Sequence, residues 1–262
     1  MGNTGWFEFL RGSEPGHAVQ LYGDFSELAG SVASFLASGF ELGQGAVVVS
    51  TAEHRPAFMS ALEAAGWDAE RIEQEGLLVT ADAEEALAAI LDGGESPSAS
   101  AFARVVGAML DRFPGTHVRV FGEMVDVLCR SGRQDAAMAL EELWNGLAQR
   151  RDFSLLCGYH LDVFDRRSQA DTLPLVCRAH SHVLPVLDPA RLQRAVDQAL
   201  EEVLGAAEAG KVYVVVGQDL RGDRVPMAQV LLMWISANMP ALAERVLASA
   251  RLRYAAEPVA GL

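Results

Sequence analysis

The sequence predicts an α/β protein in which a mainly parallel sheet lies between two layers of helices, a three-layer sandwich. A smaller, α-rich C-terminal extension with one strand follows it. Up to about residue 160, short apolar runs of strand length alternate with stretches of helical periodicity, and this alternation favours parallel strands joined by crossover helices. Half of the 262 residues are hydrophobic, which is enough for a substantial core.

The predicted strands are the short apolar runs of the first part of the chain. They lie at 18–22, 46–50, 77–80, 117–121 and 153–157. Helical patterns separate them, at 25–39, 53–65, 83–91, from the loop GGESPSAS (93–100) to about 113, and in segments up to 151. This order is typical of a doubly wound or RecA-like sheet, whose ligands bind beyond the carboxyl ends of the strands.

From residue 171 the pattern becomes mainly helical. One predicted helix carries Cys177 and His180, and a longer one covers 189–209. The run KVYVVVG at 211–217 is rich in β-branched residues and predicts the single strand of the extension. Residues 226–254 are predicted to be helical on both sides of an interruption at Pro240, because proline cannot donate a backbone hydrogen bond there.

The chain therefore divides into three parts. Residues 1–16 form an N-terminal arm, 17–187 the α/β domain, and 188–262 the C-terminal extension. The apolar side chains of the arm are expected to dock on the domain; they are Trp6, Phe7, Phe9 and Leu10.

Charge and cysteine content exclude several classes of function. The chain has 35 acidic against 21 basic side chains, a net charge of −14, which repels nucleic acid and anionic lipid surfaces. The three cysteines are scattered, as is typical of reduced thiols in a cytoplasmic protein. Residues 225–243 contain no charge, but their polar side chains and two prolines favour a buried or partner-facing helix over a membrane span.

The stretch HAVQLYGDFSELAG, residues 17–30, has the strand–glycine–helix order of a phosphate-binding loop without its chemistry. It offers no lysine, no run of glycines and a connection that is too short. Instead, Asp24 and Glu27 fit a capping box, in which the aspartate accepts from the first amides of the helix. A triphosphate would meet two carboxylates there, so we expect no conventional nucleotide site.

The chain resembles the MEDS family, the methanogen/methylotroph sensory domains found in a dichloromethane-responsive repressor and in bacterial signalling proteins. The matching stretches span about residues 14–185 and are HAVQLYGD, FLASGFELGQGAVVVST, VRVFGEMVDVL, LLCGYHLDVF and CRAHSHVLP. The resemblance implies a RecA/KaiC-like fold that lacks a working phosphate-binding loop and senses small hydrocarbon derivatives. It also implies functional positions at His17, Tyr22, Arg119, Glu123 and Tyr159. To these we add His160, because members of the family often carry proline at this position and a polar group here would alter the ligand preference.

Each of these residues also has a structural alternative. Arg119 and Glu123 flank a predicted strand end, where they would either contact a polar ligand or form an ion pair. Tyr22 offers a ring and one directed hydrogen bond to a ligand, whereas His17 is as well explained by a hydrogen bond to a nearby carbonyl. The sequence leaves these alternatives open.

Metal binding and catalysis are the weaker interpretations of the remaining residues. Cys157 and His160, with Cys177 and His180, have spacings that would suit zinc, but a buried cysteine is an ordinary core residue. We therefore assign no metal and no cofactor. The sequence has neither a G-x-S-x-G nor an H-E-x-x-H motif, so we also assign no catalytic residue.

These observations predict a non-catalytic, cytoplasmic sensor of a small organic ligand. Its output would pass through the C-terminal helices to a protein partner, such as a signalling kinase or regulator, and the chain would form a homodimer. The helices 226–254 carry an apolar stripe, and an exposed Met233 and Trp234 would favour such an interface. Two alternatives remain: a KaiC-like protein that binds nucleotide unconventionally, and a pure scaffold or dimerisation protein.

Overall fold

The structure is a computed structural model that describes residues 9–12, 15–219 and 225–257. For residues 218 and 219 it describes the backbone alone. Within these ranges, Phe9 and Leu10 of the predicted arm are buried, and the Phe9 ring stacks on Phe35 at 5.4 Å between centroids. Trp6 and Phe7, which we also expect to dock, lie outside the described residues.

A six-stranded, entirely parallel sheet forms the centre of the protein. Its strands lie in the order β3-β2-β4-β5-β1-β6. Their bounds are β1 His17–Tyr22, β2 Gly45–Ser50, β3 Leu78–Asp82, β4 Val118–Gly122, β5 Phe153–His160 and β6 His182–Leu184. The three-layer α/β architecture predicted from the sequence is confirmed, and all five strands predicted for residues 17–187 are present.

Helices cover both faces of the sheet. On one face pack α1 Phe25–Glu41, α2 Arg55–Ala64 and α3 Ala69–Gln74. On the other pack α4 Ala83–Leu91, α5 Ala99–Leu110, α6 Met124–Arg130, α7 Gln134–Ala148 and, after a π-helical turn at Ser168–Thr172, α8 Leu173–Ala179. Two separate buried apolar clusters result, one on each side of the strands.

The C-terminal extension is helical throughout its described residues. It consists of α9 Pro189–Leu204, α10 Ala206–Asp219, α11 Met227–Asn238 and α12 Pro240–Ala256, which enclose a third apolar cluster. The predicted break at Pro240 is confirmed. The predicted helix 189–209 is in fact two helices, because Gly205 adopts a φ of 80° that ends α9.

The predicted strand at 211–217 is wrong, because these residues belong to α10. Ala209, Val212 and Val216 are buried, whereas Val214 is 62% exposed. This spacing of three and four residues fits one face of a helix rather than alternate sides of a strand. Packing against the other C-terminal helices therefore overrides the β-propensity of the valine run.

Met233 and Trp234, whose exposure would favour an interface, are not exposed. Both side chains are half-buried, Met233 against the cluster under the sheet and Trp234 within the C-terminal cluster. The apolar stripe of 226–254 is therefore largely used inside the chain. Among the residues described, no helix has both the length and the apolar character needed to cross a membrane.

The first helix begins as the sequence predicts. Asp24 is the N-cap of α1, and its carboxylate accepts hydrogen bonds from the amide and the hydroxyl of Ser26, both at 2.8 Å. The amide that a phosphate would use is therefore already bonded to a carboxylate of the chain.

Two glycines of α1 provide a matched test of packing between this helix and the sheet. A Cβ at Gly39 would lie 2.8 Å from Cδ of the fully buried Arg119, whereas a Cβ at Gly30 would meet no atom within 4 Å. We expect Gly39→Ala to lower the free energy of unfolding by about 1–3 kcal/mol through overpacking, and Gly30→Ala to raise it by about 0.5–1 kcal/mol. Urea unfolding followed by circular dichroism measures both, and equal effects of the two substitutions would contradict the packing described.

Candidate functional site

A cleft opens beyond the carboxyl ends of β1, β2 and β5. Its volume is about 150 Å³, and it is lined by Tyr22, Gly23, Phe25, His54, Arg130 and His160. Tyr22 and His160 end two neighbouring strands and are register partners. The cleft therefore lies where parallel α/β sheets place their ligands.

Aromatic rings form the walls of the cleft. Phe25, the first residue of α1, stacks on the His54 imidazole with 3.9 Å between ring centroids. The Tyr22 ring meets Phe25 edge-on, with 6.1 Å between centroids, and lies 5.3 Å from the ring of His160. The cleft thus combines flat apolar faces with the polar edges of two imidazoles, and these surfaces suit a small molecule that has both characters.

Glu123 holds His54 in place from behind. One carboxylate oxygen lies 2.6 Å from Nδ1 of His54, and the other accepts from the Thr51 amide at 2.9 Å. Glu123 is 1% exposed, and burial raises the pKa of its carboxyl group above the ordinary value, although the bonds from Thr51 and His54 oppose the shift.

Asp126 organises the other wall in the same manner. Its carboxylate accepts from the Tyr22 hydroxyl at 3.1 Å and from the His160 amide at 2.8 Å, and it pairs with the Arg130 guanidinium at 3.2 Å. Burial raises the pKa of Asp126. Burial, followed by the nearby negative charge of Asp126, raises the pKa of Tyr22, so its phenol remains a proton donor.

The structure brings together only part of the site predicted from the sequence. Tyr22 and His160 line the cleft, and Glu123 lies directly behind it. Sequence reasoning missed four residues that build it: Phe25, His54, Asp126 and Arg130. The available signal was their position, since each lies within a few residues of a strand end or in the first two turns of the helix that follows one.

Arg119 does not lie beside Glu123, contrary to our expectation. Arg119 is the second residue of β4 and Glu123 follows its last, so the strand separates them by about 13 Å. Instead, the guanidinium donates to Gln44 Oε1 at 2.9 Å and to three backbone carbonyl oxygens, those of Leu10, Gly12 and Phe35. Burial lowers the pKa of Arg119 to about 10. It ties the N-terminal segment to α1, away from the cleft.

Tyr159 and His17 also lie away from the cleft, because successive strand residues point to opposite faces. Tyr159 is completely buried and donates to Glu141 Oε1 of α7 at 2.6 Å. His17 lies in the same buried region, with Nε2 3.2 Å from Glu141 Oε2 and Nδ1 2.9 Å from Asn145 Oδ1. His17 therefore contacts side chains rather than the carbonyl proposed as its structural alternative.

The four metal candidates of the sequence do not converge as a set. His160 is exposed and lies on the face opposite to Cys157. The Cys177 thiol contacts Met233 Sδ at 4.0 Å, and burial raises the pKa of Cys177 to about 12. Only Cys157 and His180 come together, and they do so with two residues that were not in the predicted set, His17 and Glu141.

The bonds of Arg119 predict a structural role for it. Arg119→Met removes the donors for Gln44 Oε1 and for the Leu10 and Phe35 carbonyls, and an unsatisfied buried acceptor costs about 1–3 kcal/mol. We expect a loss of about 2–4 kcal/mol in the free energy of unfolding. Arg151→Met, which breaks an exposed pair with Asp111, is the control and is expected to cost under about 0.5 kcal/mol. Wild-type stability of Arg119→Met in chemical denaturation would contradict this role.

Opposite pKa shifts predict opposite pH dependences for two aspartates. The pKa of Asp126 is raised by burial, so its contribution to stability is lost as the pH rises through that pKa. The pKa of Asp24 is lowered by the hydrogen bonds from Ser26, so its contribution is lost as the pH falls. With increasing pH, the stability of the wild type should fall relative to Asp126→Asn and rise relative to Asp24→Asn. Denaturation of the three proteins from pH 3 to 7 (about the range in which carboxyl groups titrate) measures both trends, and trends of the same sign would contradict the assignment.

Comparison with known proteins agrees with the resemblance noted in the sequence. No curated protein matches the chain. The model of one family, described as the methanogen/methylotroph, DcmR sensory domain, matches residues 16–181, which include the whole sheet up to the start of β6. This match covers more than half of the chain and contains every residue that lines the cleft. The chain therefore belongs to the MEDS family of sensory domains.

Proposed function

We propose that the cleft at the carboxyl ends of β1, β2 and β5 binds a small organic molecule of the hydrocarbon-derivative class. The protein then senses this ligand without transforming it and relays occupancy to a protein partner. The observation that carries the proposal is the group of four aromatic rings that lines the cleft of a sensory domain: Phe25 stacks on His54, and Tyr22 lies beside His160 and meets Phe25 edge-on.

The chemistry of the lining supports a small ligand of low charge. The phenol of Tyr22 and the carboxylate of Glu123 are already used by Asp126, Thr51 and His54. The His160 ring, Nε2 of His54 and the terminal nitrogens of Arg130 remain for a polar group of the ligand, because the bonds to Glu123 and Asp126 use Nδ1 of His54 and Nε of Arg130. The rings of Phe25 and Tyr22 accept its apolar part. The buried carboxylates behind both walls, and Asp24 at the start of α1, disfavour a polyphosphate.

A physical connection to the C-terminal helices supports the relay. Residues 161–167 follow His160 directly and contact α12 in three places. Asp162 pairs with Arg251, the Phe164 ring lies 5.8 Å from that of Tyr254, and Arg166 pairs with Glu244 at 2.9 Å. A ligand that moves His160 would therefore change the contacts of α12, provided it binds one arrangement more tightly than the other.

Ligand binding is tested on the full chain. Native mass spectrometry of freshly purified protein identifies a small molecule that copurifies, and a thermal-shift panel of small alcohols, amines, carboxylic acids and halogenated hydrocarbons tests added ligands. We expect at least one such compound to raise the midpoint temperature. His160→Ala should weaken its binding at least tenfold, and His117→Ala, a control near the amino end of β4, should leave the affinity unchanged.

Other outcomes would contradict the proposal in distinct ways. Stabilisation by ATP with magnesium that is abolished by Glu123→Ala would favour the nucleotide-binding alternative. The absence of any copurified compound together with no response to the panel would favour a scaffold, and loss of self-association on truncation after Leu187 would support that alternative. If a ligand binds but hydrogen exchange of α11 and α12 does not change at saturation, the relay is wrong while the binding site stands.

A further inference from the structure

Four metal-ligating side chains meet beneath the sheet, on the face opposite to Tyr22 and His160. They are His17 of β1, Glu141 of α7, Cys157 of β5 and His180, which follows α8. All four are buried, and their ligating atoms lie within 4.8 Å of one another. None of these side chains lines the cleft, and of the ligand-binding candidates named from the sequence only His17 belongs to the cluster.

Hydrogen bonds outside the cluster fix both imidazoles. His180 Nδ1 lies 2.7 Å from the Val176 carbonyl oxygen, which can only accept, so the Nδ1 carries the proton. The Asn145 amide nitrogen donates to the Ala179 carbonyl at 3.0 Å, which turns Asn145 Oδ1 towards His17 Nδ1 and makes that nitrogen a donor too. With Nδ1 as the donor in each ring, both Nε2 atoms face the centre of the cluster, where they can offer a lone pair to a metal ion.

A carboxylate lies against both Nε2 atoms. The two Nε2 atoms lie 3.2 and 3.4 Å from the oxygens of Glu141, so lone pairs face a carboxylate at close range. Among the described residues, Glu141 Oε2 and His180 Nε2 have no hydrogen-bond partner of good geometry, although both atoms are buried. Unpartnered buried polar atoms of this kind are costly unless a proton or a metal ion lies between them.

The distances suit a tetrahedral ion. Zinc lies about 2.0–2.1 Å from nitrogen or oxygen ligands and about 2.3 Å from sulfur. In a tetrahedral site these bond lengths place a nitrogen about 3.3 Å from an oxygen and about 3.5 Å from a sulfur. His17 Nε2 lies 3.4 Å from Cys157 Sγ and 3.2 Å from Glu141 Oε2, close to these values, and His180 Nε2 lies 3.4 Å from the other carboxylate oxygen, Oε1. All the ligating atoms lie within 4.8 Å of one another, so a bound ion would draw the more distant of them inwards. Tyr159 donates to Glu141 Oε1 and so supplies an outer-shell bond to a ligand.

We propose that His17, Glu141, Cys157 and His180 bind one divalent transition-metal ion of the zinc class in a closed, structural site. A set of two imidazoles, one carboxylate and one thiolate suits zinc and its tetrahedral substitute cobalt. Binding displaces the Cys157 thiol proton to solvent. The ion clamps β1, β5, α7 and the segment that leads into β6. All four positions are filled by protein ligands, so the ion stabilises the domain rather than activating a water molecule.

A thiol–imidazole–amide chain, Cys157 to His17 to Asn145, is also present and has the connectivity of a cysteine nucleophile with its base and orienting group. Cys157 is 1% exposed, however, and the cleft of the described residues is lined by other side chains. A substrate would have no route to its sulfur, so the metal site is the better interpretation of these contacts.

The test uses the full chain, purified without chelator, stripped of metal under reducing conditions and then titrated with Co²⁺ or Zn²⁺. We expect one equivalent to bind, a thiolate-to-cobalt charge-transfer band in the near ultraviolet, and a higher midpoint temperature of unfolding. Cys157→Ala should lose the band, and His180→Gln should weaken binding at least tenfold. Cys177→Ala and Cys129→Ala alter the thiols outside the cluster, and these variants should keep both the charge-transfer band and the wild-type affinity for the ion.

Two results would overturn the proposal. One is a stripped wild-type chain that shows neither the cobalt band nor a thermal shift, and this result needs no variant to fold. The other is a bound ion that Cys157→Ala and Cys177→Ala retain equally, which would show an adventitious ion elsewhere. Ligand binding in the cleft is measured separately, so failure of the metal site leaves the sensing proposal unaffected.

Discussion

The parallel pairing of β1 with β5 is the interaction on which both sites depend. Its register aligns Tyr22 with His160 and places His17 opposite Leu155. Because side chains alternate along each strand, one face of this pair contributes two rings to the cleft and the other contributes His17, Cys157 and Tyr159 to the buried cluster. A shift of one residue in the register would exchange the two faces and remove both sites together.

Buried carboxylates are the second recurring element of the protein. Each of them contacts groups of the two sites: Glu123 bonds to the His54 ring, and Asp126 to the Tyr22 hydroxyl and the His160 backbone amide. Glu141 lies against the rings of His17 and His180. A buried carboxylate costs free energy and is therefore retained where its hydrogen bonds fix a geometry. In the cleft, these bonds hold the ring orientations in advance, which lowers the entropy that a ligand must lose.

Much of the fold was predictable from the sequence, because strand and helix periodicities are local. The five predicted strands and the interruption at Pro240 follow from such patterns, and so does the N-cap Asp24. The helical conformation of the valine run in α10 was not predictable from local patterns, because it is decided by packing against the other C-terminal helices. β6, only three residues long and without a distinctive apolar run, escaped detection for a related reason.

The site was predictable only as a region. Strand ends indicated Tyr22, Glu123 and His160 as residues near the cleft. The face of the sheet on which a strand residue lies was not evident from the sequence, and Tyr159 and His17 lie on the face opposite to the cleft. Arg119 could not be assigned from its spacing to Glu123, because the length of β4 lies between them. The buried cluster consists of residues 17, 141, 157 and 180. These positions are too far apart in the sequence to form a short motif that could be recognised.

The anchoring of the N-terminal segment has a practical consequence for biosensor design. Arg119 holds the Leu10 and Gly12 carbonyls near the amino end of β4, at the edge of the sheet away from the mouth of the cleft. A fluorescent reporter attached at the exposed position of Arg11 would therefore lie away from the entrance. One attached to α12 would test the proposed relay, because its emission would follow any change in the contacts that residues 161–167 make with this helix.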